Sequence, residues 1–440
     1  MQNSLAKQAP RAQGARMAAT DPNAQARHGT GTDPLAERAP HRALGERELI
    51  VLMALLMSLQ AFGIDSMLPA LGVMAEELSA TGNDRQLVIG AYFLGSGIGA
   101  FFPGAFADRF GRRPILFLGL LSYILLSLAC ALVTSFETIV ALRFIQGMTC
   151  AGLSVVPAAI VRDHVGGDRM ARLMSLIMMI FLLVPIVAPA IGQGIMMVAG
   201  WRAIFGAMAV MGLAVGAWVW LRLPETLAAD NRQEIDPATI LRNMWTALST
   251  RSAIGYVVGS AMVFGSLFGF LNSSQQLIGE TFGAGNYFAL IFGGAVVGMV
   301  AANFTNSRIV ERFGARRVGH SALLAFILIS ALQLLSASQP QQSLAEFIVL
   351  MSLAMATLGF VGANFSSIAM QPFYHIAGAA SSGQTAVRMS TGAILGSTIG
   401  YLFDGTAVPL ASAMLACGLL ALAVVLFSEK GRLFGRRVAS

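Results

Sequence analysis

Charge is scarce in this chain. Asp, Glu, Lys and Arg make up 12% of its 440 residues, against roughly 25% in ordinary soluble proteins. A soluble fold of this size needs a charged skin. The chain is instead 56% hydrophobic, more apolar side chain than one core can hide, which points to lipid as the solvent for the excess. Cysteine is scarce too. Cys130, Cys150 and Cys417 lie singly in apolar runs, with no paired spacing and no histidine partner, so disulfide and zinc readings fail. The five histidines, His28, His41, His164, His320 and His375, include none with a metal partner in an apolar run, and no metal or organic cofactor is expected. HExxH, Walker and G-x-S-x-G motifs are missing, which excludes the common hydrolase chemistries and a nucleotide-driven pump on this chain. The formal charge is +7, but the basic residues sit between apolar runs rather than on one soluble face. Nucleic-acid binding is therefore not expected.

What the sequence does have is length in its apolar runs. Twelve of them follow one another at 49–71, 87–107, 115–134, 138–161, 173–199, 203–223, 253–278, 287–306, 318–336, 344–370, 379–402 and 407–427. Each holds about the 20 residues that a helix needs to cross roughly 30 Å of hydrocarbon. Residues 1–47, rich in Ala, Gln, Arg, Pro and Gly, read as a disordered tail; no short apolar core with a cleavage site precedes the first run, so it is not a secretory signal. An organelle transit peptide is the alternative reading of this Arg-rich stretch.

Placing the tail on one side and alternating puts 24 Lys and Arg residues on that side and only Arg85 and Arg202 on the other. Three more, Arg143, Arg222 and Arg388, fall inside runs. This bias predicts a cytosolic tail and, with an even number of spans, a cytosolic C-terminus. The longest connection between spans, 224–252, divides the chain into a bundle at 48–223 and another at 253–427, with a second tail at 428–440. The halves echo each other. Asp108, Arg109, Phe110 and Gly111 follow the second run; Glu311, Arg312, Phe313 and Gly314 follow the eighth, 203 residues later. Duplicated halves are a mark of secondary transporters.

The stretch from Gly104 through Asp108, Arg109, Gly111, Arg112 and Arg113 resembles the signature between helices two and three of the major facilitator superfamily. Within it the chain resembles the drug:proton antiporters, most of all their Bcr/CflA-type drug-resistance branch. The supporting segments lie around Asp65 and Pro69, Tyr92 and Gly95, Arg143 and Gln146, Arg162 and Asp163, Trp201 and Phe205, Pro224 and Glu225, and Asp404. The resemblance covers residues 48–428 and implies an all-α membrane protein of twelve transmembrane helices in two pseudo-symmetric six-helix bundles. One departure stands out. The antiporter signature on helix five keeps Pro185, Pro189 and Gly192, so a kink is expected, but Ala188 and Gln193 occupy positions usually held by Gly.

Charges inside hydrocarbon are costly and worth explaining. Asp65 lies six residues and Arg143 five from the outer end of their runs, roughly 8–9 Å deep at 1.5 Å per residue. They form a candidate proton- and substrate-linked site, with Gln146 beside Arg143; the alternative is a structural ion pair. Arg388 lies near the midplane of run eleven with Gln384 on its face; it faces a watery cavity, finds an acceptor, or snorkels toward the cytosol. Two arginines against one acid disfavour an exclusively cationic substrate. Asn272, Gln275, Gln276 and Asn364 are further candidate cavity groups, although amides also glue helices together. From the resemblance, Gly104, Asp108, Arg109, Gly111, Arg112, Arg113 and Asp163 form an inner gate, Asp108 facing the start of helix eleven and Arg112 reaching toward Asp163.

The expectation is a monomeric exporter of small, drug-like organic compounds, driven by protons across a bacterial inner membrane. Binding would occur between the halves, with alternating access by rocking. The alternatives are an exporter, symporter or uniporter of one metabolite or nutrient, and, from another class, a membrane receptor, for which no signalling domain is present.

Overall fold

A backbone N–H or C=O in hydrocarbon has no water to bond, so each apolar run must close its hydrogen bonds within a helix. The computed structural model describes residues 44–165, 167–227, 232, 237–373 and 376–434, and contains no strand among them. The first half comprises α1 (Glu46–Asp65), α2 (Leu71–Glu77), α3 (Leu87–Gly99), α4 (Pro103–Phe110), α5 (Arg112–Leu132), α6 (Phe136–Cys150), α7 (Gly152–His164), α8 (Gly167–Phe181), α9 (Val184–Ala199) and α10 (Arg202–Arg222). Between the halves lies α11 (Pro237–Ser249). The second half holds α12 (Arg251–Gln276), α13 (Phe288–Phe313), α14 (Ala315–Ala337), α15 (Leu344–Met370), α16 (Ala377–Tyr401) and α17 (Val408–Ser428). Most of the expected tail, part of the 224–252 connection and residues 435–440 lie outside the described residues.

Among the described residues, ten segments are long and apolar enough to cross a bilayer, and α3 with α4, bent by 47°, make an eleventh. The helix α16 spans 25 residues at the position of run eleven, enough to cross, but its Ser, Thr, Gly, Gln and Arg content makes it less apolar than those segments. That composition suits a helix covered by protein, and α16 packs against α12 and α3. The bend before α4 follows from Pro103, which has no N–H to give and disfavours helix at the residue before it. The first span is longer than its apolar run suggests. It reaches Glu77 through a short 3-10 turn and α2, so Asp65 sits at an internal break, roughly 18 Å from that end rather than 9 Å.

Glycine makes the close seams. A Cβ on Gly95 or Gly99 would lie 2.1 or 2.2 Å from a carbonyl oxygen of α6, and one on Gly147 would lie 2.1 Å from the Tyr92 carbonyl. Such spacing lets α3 and α6 touch backbone to backbone. The antiparallel pair α3 and α16 joins the two halves along its length, with Gly90 against Ser397 and Gly97 against Ser390. The ends of the spans where Glu46, Gly111, Gly314 and Ser428 lie carry most of the arginines and are termed the basic end below.

Candidate functional site

Asp65 is the last residue of α1 and only 5% exposed. It takes part in no ion pair among the described residues. Arg143, 0% exposed, is its neighbour in sequence depth but not its counter-ion. The guanidinium instead donates to the carbonyl of Gly63 at 2.8 Å and to Oε1 of Gln146 at 2.7 Å, and lies over the Tyr92 ring at 4.2 Å. Gln146 passes the order on, donating to Ser127 Oγ at 2.9 Å and to the Tyr123 carbonyl at 3.3 Å. Arg143 therefore fixes the end of α1 two residues before Asp65 and leaves the carboxyl free of a cation. The next residue is held from the other side. Gly192 of α9 lies so close to Ser66 that a Cβ would fall 1.7 Å from the Ser66 carbonyl oxygen. The chain needs no side chain there because α9 crosses directly against the break in α1. Pro189 is buried inside α9 and Pro185 opens its first turn, where its missing N–H costs nothing.

In the second half, Arg388 is half-buried at mid-helix, with its guanidinium over the Phe264 ring at 5.0 Å. Gln384, one turn earlier, is also half-buried. Asn272 is fully buried, and neither its amide nitrogen nor its oxygen finds a partner among the described residues. Asn364 donates to Asn306 Oδ1 at 2.6 Å and to the Phe360 carbonyl at 2.8 Å, a tie between α15 and α13.

The signature residues gather at the basic end. Arg112 is buried and pairs with Asp108 at 2.5 Å and, through Nε, with Asp163 at 3.0 Å. Arg113 donates to the Trp220 carbonyl at 2.8 Å, while Arg109 is exposed. Asp108 pairs with Arg112; residues 374 and 375, just before the start of α16, which the resemblance sets opposite Asp108, lie outside the described residues. A Cβ on Gly104 would come 4.0 Å from Ser382 of α16. Glu225 is the member that sequence reasoning gave no role. Its carboxylate accepts from the backbone N–H groups of Arg112 at 2.9 Å and Arg113 at 3.2 Å, which have no helical partner in the first turn of α5 and carry the positive end of its dipole. Gly111 has φ +105°, and a Cβ would lie 2.4 Å from that carboxylate. The second half repeats the glycine turn but not the cap, since a Cβ at Gly314 would meet nothing within 4 Å. Gly314 has φ +82°, and Arg316 pairs at 3.0 Å with Glu429, which lies 204 residues after Glu225. Because Arg112 joins two acids, Arg112→Ala and Asp163→Asn should each slow transport. Their double mutant should fall short of the summed effect by about 0.5–3 kcal/mol, measured as rates in a double-mutant cycle. Full additivity would reduce the cluster to a set of topology-setting charges.

The opposite end is bridged across the halves. Arg85 donates to Gln275 at 3.2 Å and pairs with Glu280 at 2.7 Å. Gln86 donates to Gln276 at 2.5 Å, and Gln276 donates to Asn83 at 2.7 Å. Asn83 also donates to the carbonyls of Tyr401 and Phe403 at 2.8 and 2.9 Å. The structure thus places Gln275 and Gln276 in this bridge. Gln193, the departure from the helix-five signature, joins it: its amide donates to the carbonyls of Gly285 and Asn286 and accepts from the N–H of Ala289. Sequence gave no signal for this, because the partners are backbone groups of the other half.

A cavity of about 570 Å³ opens at the basic end among α13, α14 and α15, lined by Ile309, Phe313, Arg317, Phe360 and Phe434 among others. None of the candidate residues lines it.

The profile of the Major Facilitator Superfamily matches residues 52–387. The chain is 29% identical over 388 residues to the bicyclomycin resistance protein homolog of Haemophilus influenzae, covering 88% of this chain and 97% of that one. It is also 29% identical over 391 residues to the multidrug resistance protein MdtL of Escherichia coli O9:H4, covering 88% and 96%. The crystal structure of the human organic anion transporter MFSD10 (TETRAN) overlays with a TM-score of 0.64 at 17% identity, covering 87% of this chain and 99% of that one, a likeness of fold.

Proposed function

Because the chain belongs to the Major Facilitator Superfamily and is therefore a multi-pass membrane transporter, we propose that it exports small organic compounds in exchange for protons, by alternating access. The reading rests on Asp65, an acid buried within a span with no ion pair among the described residues. A proton-driven carrier needs a group that can take a proton and give it up on the way across. The hydrogen-bonded bridge between the halves at the end opposite the basic one suits a carrier closed on that side. Relatives carry names of drug resistance, which favours drug-like substrates over a nutrient.

The test is efflux from proteoliposomes of a compound to which the expressed protein confers resistance. One proton per substrate should support about tenfold accumulation for each pH unit imposed, one decade per 1.4 kcal/mol. Equal accumulation with and without the pH gradient would remove protons from the cycle. Orientation is tested separately. Reporters placed after Arg47, in the 224–252 connection and at Ser440 should read cytosol, and one at Asn83 the outer face, since arginine gathers on the cytosolic side. An outward reading at Ser440 would overturn the twelve-span arrangement in a bacterial inner membrane.

A further inference from the structure

Arg388 is a mid-membrane cation whose surroundings answer every part of it except its hydrogen-bonding edge. It lies eleven residues from the start of α16 and thirteen from its end. Its guanidinium carbon lies over the Phe264 ring, 5.0 Å from the centroid. That ring is itself seated, because Gly362 of α15 leaves it room: a Cβ there would lie 2.8 Å from the ring. The planar N–H fork of a guanidinium matches the two oxygens of a carboxylate. Arg388 enters no ion pair among the described residues. Its Nε is sealed from solvent without a partner, and so is Nε2 of Gln384, one turn away on the same face. Both orphans are donors, so what completes them is an acceptor.

Snorkelling does not account for the geometry. The helices α12 and α16 run parallel, with Gly265 against Leu395, Gly269 against Ile399 and Gly392 against Phe268. Those contacts set Phe264 between the level of Arg388 and the turn after it, so the guanidinium, 5.0 Å from the Phe264 ring, is held at mid-helix rather than drawn out to the basic end as in snorkelling. The charge balance points the same way: against one acid within the spans, Asp65, stand two buried or half-buried arginines, Arg143 and Arg388, and Arg143 is already engaged by Gly63 and Gln146.

We infer that Arg388, Phe264 and Gln384 form an anion subsite, and that the transported compounds include organic anions carrying a carboxylate on an apolar body. The inference rests on the reading of the chain as a carrier of small organic compounds and names their class. A neutral or cationic analogue leaves the Arg388 edge and the Gln384 amide without an acceptor. A site built around buried donors discriminates strongly against a ligand that cannot bond them.

The experiment measures binding with no pH gradient, to the full-length protein in lipid nanodiscs. The probes are dansylglycine and dansylglycinamide, with further aromatic carboxylates of smaller and larger body, each paired with its primary amide. At least one carboxylate should bind about tenfold or more tightly than its amide, as for a charge-assisted bidentate contact. Arg388→Gln should bring that carboxylate down to the level of the amide and leave the amide unchanged. Arg388→Lys, which keeps the charge but not the fork, should retain part of the preference. Size-exclusion profiles and thermal unfolding identify any variant that misfolds, and Gln384→Ala, a milder change, should narrow the preference on its own. The inference is overturned if no carboxylate in the panel binds better than its amide, or if the preference survives in Arg388→Gln. Proton coupling is judged by the efflux assay instead, so a carrier can fail one test and pass the other.

Discussion

Asp65→Asn is expected to abolish uphill export while leaving the protein inserted and folded. The amide is nearly the same size as the carboxyl group and fits the same break at the end of α1. It cannot carry a proton across, so a pH gradient has no means of driving the cycle through this position. Downhill exchange, which needs no net proton movement, should persist. In proteoliposomes the accumulation supported by one pH unit, about tenfold for one proton per substrate, should fall to none. Substrate binding should change little, because among the described residues Asp65 holds no ion pair whose loss would loosen the site. Arg143→Ala separates this from a packing effect. It removes the donor to the Gly63 carbonyl and the contact with Tyr92, so it should slow transport by disordering the end of α1 while some dependence on the gradient remains. If Asp65→Asn still concentrates substrate against its gradient, the coupling group lies elsewhere or the driving ion is not a proton.

How much of this was legible in the sequence depends on whether a feature is local or lies between distant segments. The spans follow from runs of apolar residues, because hydrocarbon leaves the backbone no alternative to helix. Run eleven could be drawn from sequence although α16 is rich in Ser, Thr and Gly, since its length still sufficed. The matching arginine, glycine and acid after spans two and eight were visible as an internal echo, and Gly111 and Gly314 share a positive φ. The partners of Glu225 and Glu429 were not visible, since each is a single acid far in sequence from the helix it contacts. Depth counting set Arg143 near Asp65 but could not tell a counter-ion from a clamp on Gly63; that difference is a matter of rotamer and backbone break, neither of which has a period. Gln275 and Gln276 looked like cavity groups because a polar pair in a span is costly. They are engaged at the end opposite the basic one by Arg85, Gln86 and Asn83, across a separation in sequence that no spacing rule spans.

Gly192→Ala should be among the most damaging single-methyl additions in the chain, and Gly194→Ala among the least. The two glycines lie in the same helix, α9, two residues apart, and are indistinguishable by composition. At Gly194 a Cβ meets nothing within 4 Å, so the change should fall within about 0.5 kcal/mol of neutral, as surface substitutions usually do. At Gly192 the Cβ would fall 1.7 Å from the Ser66 carbonyl oxygen and 2.6 Å from its carbon. These are backbone atoms, which cannot swing aside as a side chain does. Alanine's better helix propensity, up to about 1 kcal/mol in water, works in the same direction at both sites and so cannot account for a difference. Overpacking costs about 1–3 kcal/mol when side chains can adjust; here either α9 must withdraw or the break in α1 must shift. A shift moves Ser66 and with it Asp65, the residue before it, while withdrawal pulls Gln193 from Gly285, Asn286 and Ala289 on the other half. Either response should reduce gradient-driven efflux more than thermal stability alone would explain. The measurement is efflux rate and unfolding temperature for both variants in the same lipid. Matching behaviour of Gly192→Ala and Gly194→Ala would mean that α9 does not bear on the break beside Asp65, and that the glycine of the helix-five signature acts through something other than this contact.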